Sequence, residues 1–368
     1  MILDQVDEAT RGILARFGFD PARFEELRAR VASGELSSAS NVVSGTVEPP
    51  SPADLTTLPA PGEAGHDDMR EEGLAALRAG HVAQVVLTGG MATRFGGVVK
   101  GVVPAVDGRS FLEVKLGETR ELADATGTEI PVALMTSFAT DAVVRAHVEE
   151  RRLGRPFVFH QSVSLRLEPD GDLFRDADGR ASPYAPGHGD LFESLQRSGT
   201  LAALRARGVR VVTVSNVDNL GARVDPVVVG AHLLGARPLT TEVAQKDGDL
   251  GGAPVRVDGV LQLLEGPRFP PGFDQETVPV FNTNTAVFDL DALERAYELT
   301  WLYVQKDADG RPAVQLERVY HEASRELDTT YLVVPRRGPR GRFFPIKTPE
   351  DLERSQDDLR RLLAASLI

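Results

Sequence analysis

The stretch 89–101, GGMATRFGGVVKG, places paired glycines, a hydroxyl and two cations directly after an apolar run. Glycine has no Cβ, so the backbone N–H groups at Gly89 and Gly90 can approach a phosphate closely. Thr93 adds a hydroxyl, and Arg94 and Lys100 add positive charge to a chain of net charge −13. The spacing matches neither the G-x-G-x-x-G dinucleotide fingerprint nor the G-x-x-x-x-G-K-[ST] phosphate loop. Taken alone, it is either a phosphate cradle or a glycine-rich turn with two solvated cations. Other polar residues follow apolar runs further along: Gln161, Asn216, Asp218, Lys246 and Glu265, with Asn282 and Asn284 inside VPVFNTNTAVF. Each also has a plain structural use. Asp218-Asn219 suits a turn or a helix cap, His188 between Gly187 and Gly189 suits a turn, and Gln161 can satisfy backbone groups at a strand end. Asn282 and Asn284 alternate, which lets both face solvent from one side of a strand. Lys246 precedes DGDLGG and suits an exposed loop, and Glu265 is a lone acid after a strand.

These residues need elements to position them. VAQVVLTGG from Val82 is a short apolar run ending in glycines, which suits a buried parallel strand ending at Leu87. Similar runs stand at 130–136, 156–162 and 209–216, separated by helical patterns at 140–152 and 189–208. Strands alternating with helices predict an α/β fold, Rossmann-like, with a mostly parallel mixed sheet and helices on both faces. Ligands in such folds sit at the carboxyl ends of strands, where TGGMATR, MTS and SNVDN fall. Upstream, helices are expected at 2–17, from Pro21 with Asp20 as cap, and at 66–79; residues 36–65, rich in Pro, Ser and Gly, are expected to form a long surface loop. Residues 240–290 predict shorter strands with a hairpin turn at 257–259, followed by a helix holding Leu293, Ala296 and Tyr297, a strand at 331–335, and a last helix capped by Thr348. The division expected is a helical extension at 1–80, a catalytic domain at 81–347 and a C-terminal helix at 348–368.

Composition narrows the chemistry. There is no cysteine, which excludes disulfides, Cys-based zinc or iron–sulfur sites and thiol nucleophiles. The remaining histidines show no metal-ligand spacing. With 54 acidic against 41 basic residues, broad binding to nucleic-acid phosphates is not expected, although a local basic pocket is compatible with it. Arg336, Arg337, Arg340 and Arg342 form one such cluster, expected in a solvated loop. No signal-peptide pattern and no membrane-length apolar run stand out, so a cytoplasmic protein is expected.

The glycine loop resembles the nucleotide-binding loop of sugar-1-phosphate nucleotidyltransferases, and six further segments resemble the UDP-glucose pyrophosphorylase family of the eukaryotic type. They are LMTSFATD at 134–141, FHQS at 159–162, PGHGD at 186–190, VSNVDNLGA at 214–222, FNTN at 281–284 and FPIKT at 344–348. Seven segments in the family's order are specific where one tetrapeptide is not. Two departures stand out. Ala92 replaces a family glycine, and the loop is about one residue shorter before Lys100, with Val99 where proline is usual. Lys100 then matches the family's catalytic lysine if the loop absorbs a deletion. The resemblance also leads one to expect that the family's C-terminal β-helix is lacking, so its oligomeric behaviour is not carried over.

The resemblance implies that UTP and glucose 1-phosphate give UDP-glucose and pyrophosphate with Mg²⁺, by in-line attack on the α-phosphorus. It assigns Arg94, Lys100 and Lys347 to the phosphates, and Lys246 to the sugar phosphate. Leu87, Gly89, Gly90, Thr93, Gln161, Gly187 and Asp218 fall to the nucleotide, with Gln161 and the backbone at Gly89 and Gly187 on the uracil edge. His188, Asn216, Glu265, Asn282 and Asn284 fall to the sugar hydroxyls, and Asp218 to Mg²⁺. Alternatives are another sugar 1-phosphate (galactose or N-acetylglucosamine) and a non-catalytic relative that holds nucleotide sugar. A dinucleotide oxidoreductase is disfavoured by the missing fingerprint.

Overall fold

The run Val82–Leu87 is buried along its whole length, so it needs cover on both faces and partners on both edges. The computed structural model, which describes residues 2–92, 97–249, 251–346 and 348–365, supplies both. Thr93, Arg94 and Lys347 lie outside the described residues.

Eight strands form the central sheet: β1 (Leu55–Thr57), β2 (Val82–Leu87), β3 (Val132–Thr136), β4 (Phe157–His160), β5 (Val211–Asn216), β6 (Leu239–Gln245), β7 (Val280–Asp289) and β8 (Thr329–Val333). Their order is β1-β8-β6-β7-β5-β2-β3-β4. All neighbours run parallel except β7, which is antiparallel to both β5 and β6. The mostly parallel mixed sheet expected from the alternating pattern is therefore present.

Side-chain alternation along β2 shows the two covered faces. Ala83, Val85 and Leu87 pack with Leu191 and Leu195 of α6 (Leu191–Arg197) and with Leu201 and Leu204 of α7 (Thr200–Ala206). Val82 and Val86 point the other way, toward α3 (His66–Arg78) and α4 (Phe111–Thr126) respectively. Each such buried aliphatic side chain contributes about 1.5–3 kcal/mol. The final helices, Pro349–Arg354 and Gln356–Ala364, place Leu359 in the same cluster as Val86 and Phe111. The Thr348 cap is a full capping box with Asp351. Asp20 likewise caps Pro21–Ala32, accepting from the N–H groups of Ala22 and Arg23.

Several expectations are corrected. The proline-rich stretch 36–65 contributes the edge strand β1 and a two-residue strand, Val47–Glu48, paired with the small hairpin Ala253–Val257/Val260–Leu264. An edge strand of three residues is too short to leave a period in the sequence. The helix expected across 189–208 breaks at Gly199, whose φ of +73° no helix accommodates. After Leu290 there is only a 3₁₀ turn, Leu290–Glu294; Tyr297 turns its ring onto Phe192 and its hydroxyl onto the Ala292 carbonyl, 2.6 Å away. A hairpin at Leu302–Ala308 and Arg311–Glu317 was not anticipated, although Asp309-Gly310, at φ +54° and +73°, is a favourable turn pair. The helices Glu8–Arg16 and Pro21–Ala32 pack in one cluster with this hairpin, through residues such as Leu14, Phe24, Tyr303 and Val314. No helix among the described residues is long and apolar enough to cross a membrane.

Candidate active site

A cleft of about 720 Å³ opens beyond the carboxyl ends of β2, β3 and β5, and nine of the residues singled out in the sequence line it. On one wall are Leu87, Gly89, Gly90 and Gln161. Gly89 is there for want of a side chain: a Cβ would lie 2.2 Å from Gln161 Nε2. Ser137 holds the loop by donating to the Gly89 carbonyl at 2.8 Å. Gln161 is buried, and its Oε1 has no hydrogen-bond partner among the described residues. A buried amide oxygen left unpaired costs about 1–3 kcal/mol, so Gln161 is a polar group whose hydrogen bonding the described residues leave incomplete.

At the head of β5 the Lys100 ammonium lies 2.6 Å from Asp218 Oδ2. The next residue does the turn-forming work. Asn219 Oδ1 accepts from the Phe344 and Gly221 N–H groups at 2.7 and 3.2 Å, and its Nδ2 donates to the Arg342 carbonyl. Asn219 also bridges Pro345, and the Ile346 N–H lies 3.5 Å from the Asp218 carbonyl. The two uses open to Asp218-Asn219 are thus divided: Asn219 builds the turn, and Asp218 faces the cleft.

Gly187, His188 and Asn216 make another wall. Gly187 has φ +87°, and a Cβ there would meet the Arg318 carbonyl at 2.5 Å. His188 Nδ1 accepts from the Tyr320 N–H at 3.3 Å, and burial pushes the imidazole pKa down to about 4. The ring is therefore neutral near pH 7 with its proton on Nε2, a donor. Asn216 Oδ1 accepts from Asn284 Nδ2 at 2.8 Å. Asn284 in turn has φ +58°, at a register shift of β7 against Glu242 and Val243. Such a bulge re-aims a side chain, so Asn282 and Asn284 do not simply alternate. Asn282 Oδ1 accepts from the Asn284 N–H at 3.0 Å and its side chain bonds Glu265, whose carboxyl pKa is raised by burial. His321 Nε2 bonds Asn284 Oδ1. Asn284, Asn282 and Glu265 thus stand in file behind Asn216 rather than on the cleft wall.

Lys246 is kept apart: its ammonium donates to the Gln275 carbonyl, and it does not line the cleft. Conversely, Arg166, Lys306, Gln315 and Glu317, which were not singled out in the sequence, also line the cleft. For Lys306, Gln315 and Glu317 the available signal was the Asp309-Gly310 turn of their hairpin; Arg166 lies outside it, after Ser164–Leu165. Asp190, fully buried, also escaped notice within PGHGD. Its carboxylate accepts from the Ser162 N–H, next to Gln161, from the Ser194 hydroxyl and from Arg318, so it ties the His188 turn to the Gln161 strand end.

For a metal ion the donor set is sparse. Among the described residues no three His, Asp or Glu side chains converge. Asp218 is a lone carboxylate beside a cation, which fits Mg²⁺ carried on a nucleotide, since that ion takes one or two carboxylates plus substrate phosphates.

Comparison with known proteins agrees with this geometry. The family model described as UTP–glucose-1-phosphate uridylyltransferase matches residues 22–368. The UTP–glucose-1-phosphate uridylyltransferase of Saccharomyces cerevisiae is 33% identical over 310 residues, 78% of this chain and 61% of the yeast protein. That of Astragalus penduliflorus is 33% identical over 300 residues, 77% of this chain and 63% of the plant protein. The chain thus spans about three-fifths of the length of these relatives. Among solved structures, the UDP-glucose pyrophosphorylase G45Y mutant from Leishmania major, in complex with UDP-glucose, shares the fold with a TM-score of 0.72 at 24% identity, over 88% of this chain and 73% of that one. The uridine diphosphate N-acetylglucosamine pyrophosphorylase from Trypanosoma brucei does so with a TM-score of 0.72 at 20% identity, over 89% and 75%. Fold alone therefore does not choose the sugar, but the match along the sequence is decisive for kinship: the chain belongs to the UTP–glucose-1-phosphate uridylyltransferase family.

Proposed function

We propose that the protein transfers the uridylyl group of UTP to glucose 1-phosphate, giving UDP-glucose and pyrophosphate. The observation that carries this reading is the Lys100–Asp218 pair facing one cleft with Gly89, Gln161 and His188 in a chain of this family. An oxygen of the sugar phosphate attacks the α-phosphorus of UTP. The bond from that phosphorus to the bridging oxygen breaks, and pyrophosphate leaves with the electron pair. No bond to the protein forms, so catalysis consists of alignment and charge stabilisation.

Lys100 is the cation we assign to the α-phosphate, with Arg94 and Lys347 on the remaining phosphates. Asp218 would hold Mg²⁺, which when bound neutralises phosphate charge. Gln161 and the backbone at Gly89 suit the uracil edge: the Gln161 Oε1 lacks a partner among the described residues, and the missing Cβ at Gly89 lets the Gln161 amide stand directly against the glycine loop. His188 Nε2–H and Asn216 suit sugar hydroxyls, with Asn284, Asn282 and Glu265 fixing the orientation of Asn216. Lys246 is given no part.

The test is pyrophosphate release with Mg²⁺, crossing four nucleoside triphosphates with the 1-phosphates of glucose, galactose, N-acetylglucosamine and mannose. Release confined to UTP with glucose 1-phosphate is expected. Preference for another sugar overturns the substrate, and silence from folded protein overturns the activity.

A further inference from the structure

The arginine cluster at 336–342 is not absorbed by the cleft, and the structure divides it. Arg336 and Arg337 face Asp249 and Asp247. Arg342 is buried against Glu242, at 2.6 and 2.7 Å, and Asp225. Arg340 differs. Its two terminal nitrogens lie 3.3 and 3.2 Å from His66 Nε2, and no carboxylate lies within 4.0 Å among the described residues. Arg70, one turn along α3 from His66, has no ion pair or hydrogen bond among the described residues.

Arg70 and Arg340 both line a second cavity of about 220 Å³, which shares no lining residue with the cleft. Arg223 and Arg342 also line it, but their charges are met elsewhere: Arg223 Nε lies 2.6 Å from Glu118, and Arg342 has the two carboxylates above. Asp225 is the carboxylate in the lining, already engaged by Arg342 and by the Val227 N–H at 2.8 Å. His66 Nε2 accepts from Arg340, because a guanidinium only donates, and His66 Nδ1 lies 3.0 Å from Asp67 Oδ1. Arg70 and Arg340 thus line one partly open cavity with no ion-pair partner among the described residues, in a chain with thirteen surplus negative charges.

We propose that this cavity is a binding site for a dianionic phosphate group, held between Arg70 and Arg340. The planar guanidinium fork matches phosphate oxygens two at a time. A phosphate or phosphate monoester carries up to two negative charges near neutral pH, matching two cations. The volume exceeds the ~30 Å³ share of one water severalfold, enough for such a group with hydration.

The experiment is calorimetric titration of the full chain with inorganic phosphate and, separately, methyl phosphate, at constant ionic strength in chloride. Wild type, Arg70→Ala/Arg340→Ala and the cleft variant Lys100→Ala are compared. A binding event that persists in Lys100→Ala and weakens at least about tenfold in the double alanine variant is expected. Tighter binding of methyl phosphate would point to an ester as the natural source, tighter inorganic phosphate to the free ion. Loss of the event in Lys100→Ala, equal affinity in the double variant, or no binding by wild type would overturn the proposal. Should the alanine pair fail to fold, Arg70→Lys/Arg340→Lys keeps the charge without the fork. It is expected to bind more weakly than wild type, and unchanged affinity there overturns the guanidinium assignment.

Discussion

Lys100 Nζ lies 2.6 Å from Asp218 Oδ2, joining two residues 118 positions apart. Both side chains are largely withdrawn from solvent, at 15% and 23% exposure, so the ammonium and the carboxylate hold each other at the cleft wall. On the proposed function, a polyphosphate would compete for the ammonium, and Asp218 would then be available to hold Mg²⁺. Lys100→Ala is therefore expected to lower kcat for pyrophosphate release about 100-fold or more. Asp218→Asn is expected to raise the Mg²⁺ concentration for half-maximal rate by more than about tenfold. An unchanged Mg²⁺ titration in Asp218→Asn would remove that residue from the metal.

Gly89→Ala separates binding from stability. The new Cβ falls on the mobile end of Gln161, at 2.2 Å, rather than on backbone, so the fold can yield by moving that side chain. The expected outcome is a KM for UTP raised about tenfold, the worth of about one hydrogen bond, with the urea midpoint unchanged. A lowered midpoint with unchanged KM would contradict the role given to Gln161.

Gly230→Ala should do the reverse. Its Cβ would lie 1.7 Å from the Met69 carbonyl, backbone of α3, where the helix Pro226–Gly235 crosses at close range. Overpacking of this kind costs about 1–3 kcal/mol. Urea denaturation should register that loss, while kcat at 25 °C stays near wild type.

The His188 imidazole titrates far below its ordinary 6.5, at about 4, because burial disfavours the charged ring. The unfolded chain binds the proton first as pH falls. Stability tied to the neutral ring is thus complete above about pH 6.5 and lost as pH drops toward 4. At about 1.4 kcal/mol per pH unit the loss is of order 3 kcal/mol. His321, also held neutral by burial, adds in the same direction. His188→Asn should therefore lose less stability than wild type between pH 6.5 and 4 in urea titrations. Parallel profiles for the two proteins would refute this.

The α/β sheet and the residues at its carboxyl edge were legible in the sequence, because fully buried strands such as Val82–Leu87 must be continuous apolar runs, and the chain must turn where Gly89, Gln161 and Asp218 stand. Caps at Asp20 and Thr348 were legible for a similar reason: an orphan N–H is met by a neighbour only a few residues away. What depends on residues far apart was not. The bulge that turns Asn284 onto Asn216 arises from pairing between β6 and β7, and no local period records it. The withdrawal of Lys246 to Gln275, the pairing of Lys100 with Asp218, and the division of one arginine cluster among Asp249, Asp247, His66 and Glu242 are likewise settled by distant partners. Burial and turn chemistry act along the chain and so determine which residues reach the site. Which charge meets which, and therefore what each group is free to bind, is decided only when the sheet brings those segments together.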